Sequence, residues 1–241
     1  MAAILDRHRA RILAAPDGWA EIVGNEKSVR LCRHLARAVQ TTGDSDAILL
    51  WGASGTGKSL CAALMAREAG ISESMVIEVP AGDWQSERAS EVIDMVQRER
   101  LYGGRCVIIE EIDTGSPAAI GKLLTFLERL PKKCIILMTS NLKPGELLPG
   151  AHGVAYHRRV TAIQFGTDGL QRTTVNGERV PGPCGPMLQR VMTAENLNGH
   201  DAEYYQRIAA HADCQSNIGL MILRAQRLAI EESMEVPTNV A

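Results

Sequence analysis

Residues 52–59 read Gly-Ala-Ser-Gly-Thr-Gly-Lys-Ser, a complete G-x-x-x-x-G-K-[ST] pattern. At average glycine usage, a chance match in a chain of 241 residues is roughly a one-in-a-hundred event. Context sharpens the reading. An apolar run, Ala47–Trp51, leads in and a helical pattern, Leu60–Ala69, leads out. Glycines let the backbone turn tightly enough to aim its N–H groups at phosphate oxygens, at the positive end of the following helix. The expected phosphate cradle is Gly52, Ala53, Ser54, Gly55, Thr56, Gly57, Lys58, Ser59 and Leu60. Lys58 is expected to bridge the β- and γ-phosphates of ATP, and Ser59 to ligate Mg²⁺.

Further apolar runs repeat the strand pattern at Met75–Val79, Cys106–Ile109, Cys134–Thr139 and Val160–Phe165. Each is short and bounded by Gly, Pro or charge, as a strand buried on both faces should be. Helical spacing lies between them, at Lys27–Val39, Ser59–Ala69, Ser86–Arg100 and Ala118–Arg129. Five strands alternating with helices predict right-handed crossovers and a parallel α/β sheet. Beyond it, Asn176-Gly177 between Gln171–Val175 and Glu178–Val180 predicts a hairpin. Met187–Ala194, Ala202–Ala212 and Ser216–Glu232 predict a small helical lid. At the other end, Ile4, Leu5, Ile12 and Leu13 are helically spaced among Arg7, Arg9 and Arg11, which permits a free arm or a helix docked on a neighbour.

Composition excludes more than it assigns. With 45% apolar and 22% charged residues a buried core is expected. A net charge of −2 excludes a uniformly basic nucleic-acid module, although not a local basic patch. Aromatics at 4% argue against a surface of stacked rings. The six cysteines form no CxxC pair, so a zinc module is not expected, and dispersed thiols suit a reducing, cytoplasmic setting. Charged residues at Asp6, Arg7, His8, Arg9 and Arg11 speak against a signal peptide, and no window reaches the length of a membrane span.

A second element must anchor the metal and polarise water. The run Cys106–Ile109 ends in Glu110-Glu111-Ile112-Asp113. In-line attack on a γ-phosphate needs one acid near Mg²⁺ and another on the nucleophile. Glu110 is assigned the first role and Glu111 the second. After the run Ile135–Thr139 comes Ser140-Asn141, where the Asn141 amide can both donate to and accept from the attacking water or the γ-phosphate.

Together these segments resemble an AAA+ ATPase, and the small-subunit clamp-loader branch is the most similar. Trp19–Glu26 resembles that family's N-terminal box, which implies that Ile22 and Val23 pack near the adenine. Glu111-Ile112-Asp113, with Ala118–Leu130 and Pro131, resembles the stretch leading to the sensor-1 strand, and Asn141 matches the sensor-1 position. His157-Arg158-Arg159-Val160 to Phe165 resembles the finger segment, with Arg159 at the arginine-finger position and Arg158 beside it. The same segment is similar to that of viral rolling-circle replication helicases. The resemblance implies a P-loop NTPase core with a five-stranded parallel sheet over residues 19–166, after an arm at 1–18. A hairpin insertion at 167–186, a helical lid at 187–233 and a flexible tail at 234–241 follow.

It further implies ATP and Mg²⁺ as cofactors, and self-association into a ring or open spiral, pentameric or hexameric, through the Arg159 finger. DNA is an expected partner, as is a sliding clamp or other replication protein. The leading functional expectation is a clamp-loader-like ATPase that loads or remodels a DNA-replication component. The alternatives are a small DNA-translocating replication helicase or transposition-type DNA-binding ATPase, a protein-remodelling motor gripping polypeptide with Trp84, and a subunit that binds ATP without turning it over. Several positions depart from the family pattern. Glu110 stands where the family usually has Asp, Ile120 where clamp loaders place a Gln, and Gly219 where the lid carries its sensor-2 Arg, with Arg224 a candidate substitute. Arg172 and Arg179, in the hairpin, are candidates for contact with DNA or a neighbouring subunit.

Overall fold

The computed structural model describes residues 2–98, 104–147, 158–166, 173–175, 178–180, 182–197, 199–214 and 217–235. In chain order its elements are α1 (Ala2–Ala14), α2 (Glu26–Thr42), β1 (Asp46–Gly52), α3 (Lys58–Glu68), β2 (Val76–Val79) and α4 (Ser86–Arg98). Then come β3 (Arg105–Ile109), α5 (Pro117–Leu127), β4 (Cys134–Ser140), the single turn α6 (Pro144–Leu147) and β5 (Thr161–Phe165). The hairpin strands β6 (Thr173–Val175) and β7 (Glu178–Val180) precede α7 (Cys184–Ala194), α8 (Ala202–Ala209) and α9 (Ile218–Glu235).

The described chain forms two compact units. One comprises Lys27–Ala53 with Gly57–Phe165. It holds a five-stranded sheet in the order β2-β3-β4-β1-β5, every neighbouring pair parallel. The central strands β1, β3 and β4 are unbroken apolar runs because a parallel sheet is covered on both faces, and β4 is buried along its whole length. The edge strands β2 and β5 instead carry exposed Glu78 and Gln164. Its core includes Leu49, Val107, Ile109, Ile136 and Met138 from the strands, with Val92, Val96, Leu123 and Phe126 from α4 and α5. Pro117 opens α5, and the Ser116 side chain accepts the Ala119 N–H, so propensity and capping agree on where the helix starts. A parallel sheet sends all its strand ends the same way. β1 therefore runs into Gly52, β3 into Glu110 and β4 into Asn141 at one carboxyl edge, where open α/β sheets bind ligands.

The other unit comprises Met1–Glu26, Ser54–Thr56 and Gly166–Ala241. Its core joins Ile4 of α1 to Met187, Leu188 and Met192 of α7, Tyr205 of α8, and Met221 and Ile222 of α9. Ile4 and Ile12 are 0% and 3% exposed. Arg7 and Arg11 both pair with Glu195, at the end of α7. The arrangement is neither a free arm nor a helix docked on a neighbour: α1 packs on the chain's own C-terminal helices. The compact units thus divide the chain differently from the expected arm at 1–18 and core at 19–166: residues 1–26 group with the helices that follow residue 166.

β6 and β7 pair antiparallel, Val175 opposite Glu178. The Asn176-Gly177 turn, Arg172 and the Arg179 side chain lie outside the described residues, as do His157 and most of the tail at 234–241. All six cysteines are free and buried. Among the described residues no helix is long and apolar enough to cross a membrane.

Candidate active site

The Gly-rich segment folds as the sequence requires. Gly52 ends β1 at φ 142°, where a Cβ would fall 1.8 Å from the Phe165 carbonyl oxygen. Only glycine permits that approach. Gly57 sits at φ 94° immediately before α3, with open space where a side chain would project. Gly57 therefore presents bare backbone at a helix N-terminus, the arrangement that receives phosphate, while the Asn217 side chain packs over Gly55. Thr56 is 1% exposed, and its carbonyl accepts from Asn25 Nδ2 at 3.4 Å, while Asn25 Oδ1 accepts the Gly166 N–H at 2.8 Å. The Gly55 carbonyl accepts the Ile218 N–H at 3.0 Å.

Lys58 turns back over this loop. Its Nζ donates to the carbonyls of Gly52 at 2.7 Å and Ala53 at 2.8 Å, and to Asn141 Oδ1 at 3.1 Å. The residue is 7% exposed. Burial lowers its pKa below the ordinary lysine value, while the Glu111 and Asp113 carboxylates oppose that shift. The ammonium is thus held on two carbonyl acceptors and one amide oxygen. A phosphate would complete that environment.

Asn141 stands at the centre. Besides accepting from Lys58, its Nδ2 donates to Glu111 Oε1 at 3.4 Å and its backbone N–H to Asp113 Oδ1 at 3.2 Å. The sheet order explains the meeting. β1 pairs with β4, Trp51 opposite Ser140, and β4 pairs with β3, Met138 opposite Ile109, so the residues that follow all three strands fall side by side. Glu111 is a non-glycine residue in the left-handed region, φ 45° and ψ 57°. Its N–H donates to Thr139 Oγ1 at 2.9 Å. A backbone held in a sparsely populated region at a cluster of charged groups is the pattern expected of a reacting site.

The structure thus brings together Lys58, Asn141 and Glu111, three of the residues proposed from sequence. Glu110 is half-buried at the end of β3, its N–H on the Val79 carbonyl at 2.9 Å. Ser59 and Leu60 are half-buried in the first turn of α3, and Ala53 and Ser54 are exposed. Ile22 and Val23 lie in the other compact unit. Ile22 closes a short 3₁₀ turn over Gly18–Glu21, and Val23 packs against the apolar core of that unit. Among the described residues no group of three or more His, Cys, Asp or Glu is arranged to hold a metal ion. The Ser59 hydroxyl and the carboxylates that follow β3 are of the oxygen-donor kind suited to Mg²⁺ that keeps waters and takes its other ligands from phosphate.

Arg158 is exposed, and Arg159 Nη2 pairs with Glu128 Oε1 at 2.6 Å. Arg224 pairs with Asp213 at 2.7 Å, and Ile120 is buried in the core. Trp84 corrects an expectation: it is 1% exposed, packed in the core of the sheet unit against Gly115, and has no face with which to grip a polypeptide. Sequence reasoning passed over Asn25, Asp113 and Thr139. Asp113 had a signal, being the third carboxylate after β3, and Gly24-Asn25 is a pair prone to left-handed backbone, which both residues adopt. Thr139 had none beyond its place in an apolar strand.

Comparisons with known proteins agree with this geometry. Residues 48–154 match the family described as ATPase family associated with various cellular activities (AAA). No curated protein matches the chain in sequence. Among solved structures, the Thermotoga maritima RuvB Holliday junction branch migration motor superposes with a TM-score of 0.64 at 16% identity, over 88% of this chain and 64% of that one. A DNA polymerase III gamma-subunit-related protein from the same organism gives 0.50 at 14% identity, over 86% and 73%. The FIGL-1 AAA domain in complex with ADP gives 0.60 at 16% identity, over 91% and 75%. The chain thus spans about two-thirds of the RuvB structure, and at these identities the likeness is one of fold. Matched family, parallel sheet order and Gly-rich loop coincide: the residues matched as an AAA ATPase domain, 48–154, are those that hold the loop and most of the sheet.

Proposed function

We propose that the chain is the ATPase subunit of a self-associating assembly that loads or remodels a replication component on DNA. The observation that carries the reading is the hydrogen-bonded series Lys58–Asn141–Glu111 at the carboxyl edge of the sheet, beside the Gly-rich loop. In this reading the amides of residues 52–59 and Lys58 hold the β- and γ-phosphates of ATP. Ser59 and Glu110 hold Mg²⁺, which when bound withdraws charge from the phosphate oxygens. Asn141 and Glu111 orient a water. As its oxygen bonds to the γ-phosphorus, the bond from that phosphorus to the β,γ-bridging oxygen breaks and Glu111 receives the water's proton, leaving ADP and phosphate.

Arg159 and Arg158 supply positive charge to the γ-phosphate of a neighbouring subunit, which makes turnover depend on assembly into a ring or spiral. Arg159 sits on a partly exposed surface, and its ion pair with Glu128 is of the kind worth about 0–1 kcal/mol, which a neighbour's triphosphate outcompetes. ATPase assays with and without primer–template DNA and a sliding clamp, with particle imaging in ATP, test the proposal. Stimulation by DNA together with ATP-dependent rings or spirals supports it; a monomer indifferent to both overturns it. A DNA-translocating motor is the second reading, favoured by the similarity to the RuvB structure. ATP-driven strand displacement without any effect of a clamp would select it.

A further inference from the structure

Glu111 occupies a backbone conformation that a residue with a Cβ rarely adopts, and something must hold it there. Thr139 restrains it from the N–H side, across the sheet. On its carbonyl side the restraint is Thr114. The Thr114 N–H and hydroxyl both donate to the Glu111 carbonyl, at 2.8 Å and 2.7 Å. The same hydroxyl oxygen accepts the Gly82 N–H at 2.8 Å. Gly82 belongs to the segment Pro80–Asp83 after β2, whose residues are all exposed, and Trp84 anchors that segment by inserting into the core. The Trp84 carbonyl in turn accepts the Ser116 N–H at 3.1 Å.

We propose that Thr114 is a positioning residue for ATP hydrolysis: its hydroxyl locks the Glu111 backbone in the left-handed conformation and ties it to the exposed Pro80–Asp83 loop. The proposal rests on the reading of Glu111 as the group that receives the water's proton. Thr114 itself is exposed and touches neither the Gly-rich loop nor Lys58 among the described hydrogen bonds, so it acts only through Glu111. Its hydroxyl donates to the Glu111 carbonyl and accepts from Gly82, so a methyl group in its place severs the link to Gly82 and leaves the Glu111 carbonyl held by the Thr114 N–H alone. Gly82 sits at φ 83° with nothing within 4 Å of where a Cβ would project, and besides its N–H on Thr114 its carbonyl accepts from Gln85 Nε2 at 2.8 Å. The conformation of the loop and that of Glu111 are thereby coupled through one side chain.

The test uses Thr114→Val, which keeps the branched shape and removes the hydroxyl, and Thr114→Ser, which restores the hydroxyl, with Glu111→Gln as the control. Steady-state ATPase gives kcat and KM, and thermal melting reports folding. Misplacement of a reacting group by an ångström costs on the order of 100-fold, so kcat of Thr114→Val is expected to fall about 10- to 100-fold with KM unchanged. Thr114→Ser is expected to stay within about twofold of wild type, since the donor and acceptor return. Wild-type kcat in Thr114→Val, with Glu111→Gln inactive, overturns the proposal alone. A Thr114→Ser protein as slow as Thr114→Val also overturns it, as does a loss explained by a lowered melting temperature that serine does not repair. Turnover by Glu111→Gln at the wild-type rate overturns the assignment of Glu111, and the role of Thr114 with it.

Discussion

Replacing Asn141 with alanine removes a side chain that does two things at once. Its Oδ1 accepts from the Lys58 ammonium at 3.1 Å, and its Nδ2 donates to Glu111 at 3.4 Å. The Asn141 N–H to Asp113 survives the substitution, so the turn after β4 keeps its anchor. A hydrogen bond to a charged partner contributes about 1.5–3 kcal/mol, which converts to a loss of about 10- to 150-fold in kcat. ATP affinity should change less, because Lys58 retains the Gly52 and Ala53 carbonyls that hold it over the loop. Steady-state ATPase, combined with a nucleotide-binding titration, separates the two effects. The double variant with Glu111→Gln sharpens the test. If Asn141 works through Glu111, the pair is no slower than Glu111→Gln alone, since residues acting as a unit are not additive. Wild-type kcat in Asn141→Ala, or fully additive losses in the pair, would refute the reasoning.

Other predictions concern pH and packing. The lowered Lys58 pKa means that the unfolded chain binds a proton the native site resists, so its contribution to stability grows as pH rises towards 10.5. Compared in urea across alkaline pH, the nucleotide-free wild type should gain on Lys58→Met; a difference that shrinks with pH would contradict the burial of that ammonium. The thiols act oppositely. Burial pushes Cys32 and Cys134 up to about 12, so the stability they hold below the ordinary thiol value of 9.0 is lost as pH rises through their native values. Denaturant midpoints above pH 9.0 should therefore fall, and should fall less steeply with pH in Cys134→Ala than in the wild type. Trp84→Ala should cost about 3–5 kcal/mol by urea unfolding, as a buried core residue does, and Trp84→Phe much less. Ile4→Ala should cost about 2–5 kcal/mol and expose residues 2–14 to protease, whereas an α1 that is a free arm predicts no change.

The fold was legible because apolar runs and helical spacing mark a doubly covered parallel sheet without ambiguity. Every expected strand is present within a residue or so of its predicted limits. The Gly-rich loop was legible because its chemistry is local: eight consecutive residues carry it. The convergence of Lys58, Asn141 and Glu111 was less so. Asn141 is 83 residues from Lys58 and 30 from Glu111, and only the order β3-β4-β1 brings the three strand ends together. The pore-gripping alternative for Trp84 stayed open because a tryptophan after a strand looks alike in sequence whether it faces a pore or a core, and the neighbouring glycine that makes room for it, Gly115, lies in another loop. The left-handed backbone of Glu111 left no trace in composition or spacing, since it is imposed by hydroxyls at Thr114 and Thr139. The docking of α1 stayed open because helical spacing shows that a face is apolar and not what covers it.

Single-turnover ATP hydrolysis by Glu111→Gln, with protein in excess over ATP and binding measured in parallel, tests the central assignment most directly. The arrangement of Lys58, Asn141 and Glu111 predicts that this variant binds ATP as the wild type does and leaves it uncleaved. Cleavage at the wild-type rate by a Glu111→Gln protein that still binds ATP would contradict it.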